Sequence, residues 1–452
     1  MTVHLPVVPG EGSLGKDGRR RRPYPADVSG RFLRARRIVY ALLIVIWAAL
    51  PWIPVRGHPA VFLDVDGRRF FLFGLTFNAQ DLWLLFFLVS GFSFALVILT
   101  AVLGRVWCGW ACPQTVFIEV LFRPIERLVN GPRNTFLKRA KGGATWRTPL
   151  THALYLLAAF LVAHVFLAYF VSLRGLRDLV LASPWAHPEA FGWMVALTAL
   201  AYVSFGLFRE QFCVVMCPYG RLQSVLLDDD ALIVGYDAQR GEPRGKARDA
   251  DAGACVDCHR CVVVCPTGID IRDGLQLDCI ACTACIDACD EVMDRLERPR
   301  GLVRYDSQRS LRGEPRRILR PRLVVYAVLL VVGAVVAGVA LRNRTPFEAN
   351  LLRLPGPPYT LDASAIRDGY ELHLVNKSAS PATLTITPEP APDIEFLIPI
   401  TTVALDGLEH RRLPLFVTMP ASAYRAPRAL VLRVDDGTTT KRVPLTFLGA
   451  AR

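Results

Sequence analysis

Two runs of cysteine decide how the middle of this chain folds. The first reads Cys255-Val-Asp-Cys258-His-Arg-Cys261-Val-Val-Val-Cys265-Pro266, and the second reads Cys279-Ile-Ala-Cys282-Thr-Ala-Cys285-Ile-Asp-Ala-Cys289. Each run has the cysteine spacing of bacterial ferredoxins, in which three neighbouring thiolates bind one 4Fe–4S cluster and the distant fourth cysteine binds the other cluster. The sequence therefore predicts two 4Fe–4S clusters within residues 253–292.

The same spacing divides the cysteines into two ligand sets. Cluster one takes Cys255, Cys258, Cys261 and Cys289, and cluster two takes Cys279, Cys282, Cys285 and Cys265. A zinc ribbon and a disulfide knot are the alternatives, but zinc motifs use paired cysteines rather than triplets. Disulfides are rare in the cytoplasm, where the charge pattern described below puts this segment. Asp290 stands where a proline follows the first run, and His259 is interpreted as a surface residue rather than a ligand.

The composition indicates a membrane protein. Of the 452 residues, 52% are hydrophobic and only 21% are charged, and the mean hydropathy is +0.32, which is too apolar for an ordinary soluble enzyme. A helix needs about 20 apolar residues to cross a bilayer. Five stretches have a suitable length, namely Ile38–Val55, Leu82–Leu103, Leu150–Leu173, Ala190–Phe208 and Leu323–Leu341. Pro51 and Pro54 interrupt the end of the first stretch, which we interpret as an uncleaved anchor.

The positive charges set the predicted orientation. The segments on one side of the five spans hold 35 Lys and Arg residues, whereas the two short loops opposite, 56–81 and 174–190, hold five. Because Lys and Arg are enriched on the cytoplasmic side, the N-terminus and both cysteine runs are predicted in the cytoplasm and the C-terminus outside. We attribute the net charge of +13 to this topology and to contact with membrane lipid, so no nucleic-acid partner is expected.

These features divide the chain into five parts. Residues 1–37 are predicted to be a disordered basic N-terminus, 38–234 a membrane domain with four helices, 235–322 a ferredoxin-like domain, 323–341 the fifth helix and 345–452 a β domain. The predicted strands are Tyr370–Val375, Ala382–Thr387, Ile394–Ile400, Arg412–Val417, Ala429–Val434 and Lys441–Phe447. The predicted fold class is thus an α-helical membrane protein with about five transmembrane helices, a cytoplasmic two-cluster ferredoxin-like domain and a C-terminal Ig-like β-sandwich.

Four further cysteines lie just past the second and fourth predicted spans. They are Cys108 and Cys112 in Trp107-Cys108-Gly-Trp-Ala-Cys112-Pro113, and Cys213 and Cys217 in Phe212-Cys213-Val-Val-Met-Cys217-Pro218. On a helix, residues four apart share a face at about 5–6 Å, so two such pairs could bind a third cluster or Cu(I), which soft thiolates select. The alternative is that these small side chains only pack helix ends. We interpret them, as the membrane-edge cysteines, as candidate catalytic residues of a redox or metal site.

Two histidines fall within the third predicted span. His152 and His164 are twelve residues apart, which places them about 120° from each other around a helix. Because a haem is usually held by two ligands that face each other, a b-type haem is not predicted, and the role of the two histidines stays open. No glycine-rich dinucleotide loop precedes a helix, so no NAD or FAD site is expected.

At these residues the chain resembles the FixG/RdxA/CcoG family of bacterial membrane polyferredoxins, accessory proteins of the cbb-type cytochrome c oxidase. The resemblance rests on Trp107–Gln114, on Cys213–Gly220, on both cysteine runs and on Leu374-Val375-Asn376-Lys377 in the β domain. It implies an inner-membrane protein with a periplasmic C-terminal domain that reduces Cu(II) to Cu(I) for assembly of the oxidase copper centre. The implied partners are copper ions and oxidase-assembly or copper-transport proteins; the electron donor is not readable.

Two other functions stay open beside copper reduction. Related Cys-x-x-x-Cys-Pro membrane ferredoxins serve as electron-transfer subunits of quinol-linked respiratory chains, although such a role would not need the C-terminal β domain. The chain could also be a non-catalytic assembly scaffold or redox sensor whose clusters are structural. Cu(II) reduction by the purified protein separates the first function from the third, and reduction by quinol identifies the second.

Overall fold

The protein was analysed as a computed structural model, which describes residues 23–65, 67–78, 81–140, 146–249, 251–362, 364–378 and 380–449. These residues divide into two compact units. The first lies within Met1–Leu63 and Phe86–Val335, and the second within Asp64–Leu85 and Val336–Arg452. The first unit therefore combines most of the helical part with both cysteine runs, and the second contains the β domain.

Helices make up most of the first unit. The α-helices are α1 (Arg31–Ala49), α2 (Leu82–Leu103), α3 (Val106–Trp110), α4 (Pro113–Phe117), α5 (Arg123–Asn130), α6 (Arg133–Ala140), α7 (Arg147–Leu167), α8 (Leu173–Leu181), α9 (Pro188–Ala201), α10 (Pro218–Leu226), α11 (Ala238–Gly241), α12 (Arg260–Val263), α13 (Ala284–Arg295), α14 (Gln308–Leu311) and α15 (Pro321–Arg342). Segments Ile118–Phe122, Tyr202–Phe208 and Phe212–Met216 are π-helical, and Leu50–Trp52 and Ile271–Asp273 are 3-10 turns.

Four of the five predicted spans are confirmed as helices long and apolar enough to cross a membrane. They run over Trp83–Leu103, Arg147–Leu167, Pro188–Phe208 and Pro321–Arg342. The first predicted span is helical but is not among these four. Helix α1 has four arginines in its first turns and gives way at Leu50–Trp52 to a 3-10 turn, where Pro51 cannot donate an α-helical hydrogen bond. Its apolar part is therefore shorter than predicted.

The predicted disorder of residues 1–37 is wrong for the part that the structure describes. Residues 1–22 lie outside the described residues, but residues 31–37 form the first turns of α1. Tyr24 is buried and donates its hydroxyl hydrogen to the carbonyl of Gly131, and the amide of Ala26 donates to the carbonyl of Val263. A basic composition suggested a solvated tail, whereas tertiary contacts hold this segment against the fold.

The strands are short in the first half of the chain and longer in the second. They are β1 (Pro54–Val55), β2 (His58–Pro59), β3 (Val61–Asp64), β4 (Arg69–Leu72), β5 (Leu75–Asn78), β6 (Leu232–Tyr236), β7 (Val303–Ser307), β8 (Phe347–Arg353), β9 (Thr360–Asp362), β10 (Ala365–Asn376), β11 (Ala382–Pro388), β12 (Glu395–Leu397), β13 (Thr402–Leu405), β14 (His410–Pro420), β15 (Arg428–Asp435) and β16 (Thr440–Phe447).

The ferredoxin-like segment is built from a strand pair and two helices. Strands β6 and β7 pair antiparallel and enclose both cysteine runs in sequence, and α12 and α13 each begin inside one of the runs. Ile286 and Met293 of α13 are fully buried against this strand pair, together with Leu302 and Val303. The predicted domain boundary at residue 235 falls inside β6, so the strand that starts this fold begins slightly earlier.

The second unit contains the predicted β-sandwich. One sheet has the order β12-β14-β10-β8, with β9 also paired to β10, and the other has the order β13-β11-β15-β16. Alternate residues of the strands point inward, so that Leu372, Leu384, Val417 and Leu432 are fully buried between the sheets. Each predicted strand corresponds to an observed one. Strands β9 and β13 were not predicted because they have only three and four residues, and β8, with seven residues, was missed as well.

Candidate metal centres

The predicted ligands of cluster one line a common cavity. Its wall contains Cys255, Cys258, Cys261 and Cys289, of which the first three come from the first run and the last from α13 of the second run. Cys255 and Cys261 are buried, whereas Cys258 is exposed. The fourth cysteine of the second run thus lies at the first cavity, as the spacing predicts.

The predicted ligands of cluster two line a second cavity. Cys279, Cys282 and Cys285 surround it together with Cys265 from the first run, and Cys261 contributes to this wall as well. The remaining wall is apolar and includes Ile269, Ile271 and Ile280, all of which are buried. None of the four predicted ligands of cluster two is exposed, whereas Cys258 of cavity one is.

Both runs wrap around their cavities with the same unusual backbone. The residues before and after the second cysteine of each run have positive φ angles: Asp257 and His259 at 50° and 53°, and Ala281 and Thr283 at 51° and 63°. A non-glycine residue in this left-handed region is strained, and such strain is typically stored at ligand-binding loops. The repetition of the same strained turn at matching positions fits a loop that folds around a bound group.

The chemistry of the thiols also fits a metal cluster. Burial raises the pKa of Cys279 to about 11 and that of Cys282 to about 12, although the amides of Ala281 and Ala284 donate hydrogen bonds to these sulfurs. Without a counter-charge, four converging thiolates would be unstable in such an apolar wall. Bound iron supplies positive charge and displaces the thiol protons, while the amide donors stabilise the thiolates.

The number of cysteines around each cavity fits a 4Fe–4S cluster. Among the described residues, no three Cys, His, Asp or Glu side chains stand close enough together to hold one metal ion. The ligands of a four-iron cluster bind four separate irons and therefore stand farther apart than the ligands of one zinc. Four cysteines around each cavity thus fit a 4Fe–4S cluster, and the ligand assignment itself stays a prediction.

The membrane-edge cysteines repeat one local structure, but not the continuous helix that was predicted. Cys112 follows the end of α3 and precedes Pro113 of α4, and Cys217 follows the π-helical Phe212–Met216 and precedes Pro218 of α10. Both cysteines have extended backbone angles. Because a residue before proline is disfavoured in the α-helical region, the second cysteine of each pair leaves the helix.

The structure nevertheless brings the four membrane-edge cysteines together. Burial raises the pKa of Cys213, and the proximity of Cys112, Cys108 and Cys217 raises it further. Burial likewise raises the pKa of Cys108 to about 11, while a hydrogen bond with Gln223 opposes that shift. Gln223 is fully buried, and its Nε2 lies 3.3 Å from the Cys108 sulfur. Gln223 was missed in the sequence because no motif distinguishes it.

The membrane-edge cysteines lie directly against the wall of cavity two. A Cβ atom added to Gly109 would lie 2.3 Å from the carbonyl oxygen of Ala281, so the two loops touch through their backbones. Cys108, Cys282 and Ile280 belong to one buried cluster that Cys213 contacts. Trp110 donates to the hydroxyl of Tyr305, which donates to the Ala281 carbonyl. Two cysteine sites that are far apart in sequence are therefore neighbours.

The two membrane histidines have separate partners. His152 Nδ1 lies 2.9 Å from the hydroxyl of Tyr202, and His164 Nδ1 lies 2.9 Å from the carbonyl oxygen of Phe160 in its own helix. This arrangement agrees with the prediction that the two side chains do not share a face.

Comparison with known protein families identifies three kinds of segment. A 4Fe-4S dicluster domain matches residues 208–308, and an Ig-like fold at the C-terminus of FixG matches residues 337–450. A 4Fe-4S binding domain matches twice, over residues 84–132 and 187–228, once around each membrane-edge pair. The double match agrees with the repetition of one local structure at the two membrane-edge pairs. Fold and sites together define a membrane-bound iron–sulfur protein with an Ig-like domain.

Three relatives identify the family to which the chain belongs. Protein RdxA of Cereibacter sphaeroides is 34% identical, covering 95% of this chain and 96% of its own. The nitrogen fixation protein FixG of Rhizobium meliloti is 33% identical over 94% of this chain and 91% of its own, and RdxB of Cereibacter sphaeroides is 34% identical over 94% and 95%. The chain belongs to the FixG/RdxA family. It is an iron–sulfur electron-transfer protein of the membrane.

Proposed function

We propose that this protein reduces Cu(II) to Cu(I) at the membrane-edge cysteines and thereby supports assembly of the copper centre of a cbb-type cytochrome c oxidase. The observation that carries the proposal is the contact between Gly109, in the first membrane-edge loop, and Ala281, beside Cys282 of cavity two. A thiol-rich site and an electron-carrying site that touch through their backbones are suited to electron transfer from one to the other.

The electron count matches. A bound 4Fe–4S cluster takes up and gives up one electron at a time, and Cu(II) needs one electron to become Cu(I). We assign Cys255, Cys258, Cys261 and Cys289 to cluster one, and Cys265, Cys279, Cys282 and Cys285 to cluster two. The residues that the chain supplies around copper are the four membrane-edge cysteines and the Gln223 amide, which orients the Cys108 sulfur.

The membrane-edge cysteines suit the product better than the substrate. Thiolates are soft ligands and bind Cu(I) more firmly than harder ligands do. A site that binds the reduced ion preferentially makes the reduction of its bound Cu(II) more favourable. The buried, apolar surroundings of Cys108 add to this preference because they favour the ion of lower charge.

The proposal includes a location and partners. The charge pattern supports an inner-membrane protein with the N-terminus and cysteine runs in the cytoplasm and the Ig-like domain in the periplasm. An alkaline-phosphatase fusion after residue 345 should then be active and one after residue 249 inactive. The expected partners are copper ions, oxidase-assembly or copper-transport proteins, membrane lipid and a one-electron donor, with no nucleic acid.

A second candidate role for the membrane-edge cysteines is to bind a further 4Fe–4S cluster. The observation that favours it is the match of both segments to a 4Fe-4S binding domain. The chain would then serve as an electron-transfer subunit, for instance in a quinol-linked chain. If its clusters were structural, it would be an assembly scaffold or redox sensor without reductase activity.

One experiment separates these functions. The chain is purified without oxygen, its iron and sulfide are counted, and the dithionite-reduced protein is freed of dithionite and titrated with Cu(II) while a Cu(I)-specific chelator reports the product. The variant Cys108→Ser with Cys112→Ser removes two soft ligands with little change in volume. Val215→Ser, between Cys213 and Cys217 and partly exposed, is the matched control because it adds a hydroxyl without removing a thiol.

Copper reduction predicts that the double variant retains about eight irons and loses most Cu(I) formation, while Val215→Ser resembles wild type. Loss of iron from the double variant would instead show a further cluster. Full Cu(I) formation by the double variant would show that the cysteines only pack helix ends, and reduction of wild type by quinol would support the respiratory role.

A further inference from the structure

A buried arginine lies between the wall of cavity two and the membrane-edge loop. Arg36 of α1 is only 3% exposed. Its Nη1 donates to the carbonyl oxygen of Cys282 at 2.5 Å, and its Nε donates to the carbonyl oxygen of Gly109 at 3.1 Å. The Tyr40 hydroxyl accepts hydrogen bonds from Nε and Nη2. One guanidinium therefore contacts both loops that the proposed function brings together.

A second buried arginine contacts the same cavity from another side. Arg105 is 9% exposed, and its Nη1 donates to the carbonyl oxygen of Cys279 at 3.1 Å and to that of Leu277. Its Nη2 donates to the carbonyl oxygen of Gly220 at 3.2 Å, next to the second membrane-edge pair. Two of the four cysteines of cavity two thus have an arginine on their own carbonyl group.

Neither arginine is neutralised by a carboxylate contact within the described residues. Their hydrogen-bond acceptors there are backbone carbonyl oxygens and the Tyr40 hydroxyl, and the buried Nε of Arg105 has no hydrogen-bond partner among those residues. Two carboxylates act on these arginines through their charge without pairing with them: Glu119, which pairs with Arg123 at 3.2 Å, and Asp278 near Arg105. A buried, uncompensated cation is costly, so two of them beside one cavity indicate that this cavity holds negative charge.

Cavity one has the opposite balance. Its buried arginine, Arg272, pairs with Asp257 at 2.5 Å and with Asp270 at 2.6 Å, so two carboxylates surround one guanidinium. Asp290, which follows Cys289, pairs at 3.6 Å with an exposed Arg31. Arg260, which also lines cavity one, pairs with Glu291 at 3.7 Å. The arginines of cavity one are therefore paired with carboxylates, whereas the two arginines that donate to cysteine carbonyls of cavity two make no such pair within the described residues.

This difference has a redox consequence. The potential of a 4Fe–4S cluster depends on nearby charge, hydrogen bonding and solvent exposure. Reduction adds one negative charge, and a buried cation stabilises that charge strongly because the surrounding dielectric constant is low. A cation at cavity two therefore favours the reduced form there, whereas the carboxylates at cavity one disfavour it.

We propose that Arg36 and Arg105 raise the reduction potential at the cysteines of cavity two above that at the cysteines of cavity one. An electron donated by a low-potential one-electron reductant then rests beside the membrane-edge cysteines rather than near the exposed Cys258. Only one electron is exchanged. The cluster that loses it is oxidised by one electron, and the cluster that gains it is reduced by one electron. The inference rests on the two-cluster part of the proposed function and is independent of copper.

The fold holds Arg36 in place through the start of its helix. The Asp287 carboxylate, on α13 between Cys285 and Cys289, accepts hydrogen bonds from the amides of Leu33 at 2.7 Å and Phe32 at 3.2 Å. A Cβ atom on Gly30 would lie 2.2 Å from Asp287 Cγ, so this close approach requires glycine. Helix α1 is thus fastened to the helix that carries ligands of both clusters, which makes Arg36 a positioning and tuning residue.

The test measures both midpoint potentials by an EPR-monitored redox titration of the full-length, anaerobically purified protein. Arg36→Met removes the charge and keeps the length, Arg36→Lys keeps the charge, and Arg105→Met tests the second arginine. Arg300→Met is the matched control because Arg300 is exposed, pairs with Asp294 at 2.6 Å and is not in the wall of either cavity. Cys258→Ala is introduced into each of these variants. It removes the EPR signal of cluster one, so that the remaining EPR signal can be assigned to cluster two.

We expect Arg36→Met to shift the reduction equilibrium at cavity two at least tenfold towards the oxidised form, which is 59 mV for a one-electron couple. The equilibrium at cavity one should change less than threefold. Arg36→Lys should retain most of the wild-type potential, Arg105→Met should shift it in the same direction as Arg36→Met, and Arg300→Met should shift neither potential.

Equal potentials at the two sites of wild type would overturn the proposal. It would also be overturned if both Arg36→Met and Arg105→Met kept their full iron content and left the potentials of the two clusters unchanged. Loss of iron from both variants would also overturn it, because the arginines would then hold the site together rather than tune it. An iron count near four in wild type would instead contradict the two-cluster assignment itself, so the two failures are distinguishable.

Discussion

The two cysteine runs have the same spacing and the same left-handed turns around their second cysteine, yet they lie in different surroundings. Cavity one is next to the surface, with Cys258 exposed and two carboxylates on Arg272. At cavity two, the carbonyl groups of Cys282 and Cys279 accept hydrogen bonds from Arg36 and Arg105, and the neighbouring Ala281 touches the membrane-edge loop. Two runs with the same local geometry thus differ in the residues around them, and this difference is the basis of the roles proposed for them.

The largest expected effect comes from removing one ligand in each run. Cys258→Ala should lose cluster one, about four irons, and keep most of cluster two. Cys282→Ala should lose cluster two and, in addition, all Cu(II) reduction, because Cys282 packs in one buried cluster with Cys108 and Cys213 of the membrane edge. Iron counts and EPR spectra of both variants check this comparison. If the two variants retained the same amount of iron and lost the same fraction of Cu(II) reduction, the two runs would not have distinct roles.

The next effect concerns oxygen. Because Cys258 is exposed and none of the four predicted ligands of cluster two is, cluster one should break down first in air. We expect the EPR signal that Cys258→Ala removes to decay several-fold faster than the other signal when wild type is exposed to air and re-reduced at intervals. Faster decay of the other signal would contradict the difference in exposure between the two sets of predicted ligands.

A glycine-to-alanine pair tests the contact between cavity two and the membrane-edge loop. In Gly109→Ala the new methyl group would overlap the Ala281 and Ile280 carbonyl oxygens, which belong to the backbone and cannot rotate away. Overpacking of this kind costs about 1–3 kcal/mol, so thermal stability and Cu(I) formation should both fall. Gly333→Ala in α15 is the control, since nothing lies within 4 Å of its Cβ position. Equal stability of the two variants would show that the loops can separate.

The smallest effect is expected where α1 is fastened to α13. Asp287→Ala removes the carboxylate that accepts from the first amides of α1, a capping interaction worth about 1 kcal/mol. The midpoint of thermal unfolding should fall by about 2–4 °C, and Glu297→Ala, an exposed carboxylate beyond the end of α13, should change it little. An unchanged midpoint in Asp287→Ala would mean that α1 is held by other contacts, and the position of Arg36 would need another explanation.

Much of the architecture was predictable from local patterns. Four spans follow from runs of apolar residues, and the strands around Tyr370–Val375 and Ala429–Val434 follow from alternation. The first span was overestimated because the α-helix ends at Ala49, before Pro51, whereas the apolar run continues to Val55. Cys112 and Cys217 were placed on helices although the prolines after them disfavour helical angles, a rule that the sequence already contains.

What the sequence by itself determined is the chemistry of each cysteine run, since ligand spacing is a local property of the chain: three thiolates within seven residues and a fourth nearby fit a 4Fe–4S cluster. Only the tertiary structure decided how the two sites differ. The contacts responsible join residues far apart in sequence, 246 positions from Arg36 to Cys282, 174 from Arg105 to Cys279 and 115 from Cys108 to Gln223. An arginine or glutamine has no motif of its own, and its effect on a cluster depends on burial and distance, which exist only in the folded protein.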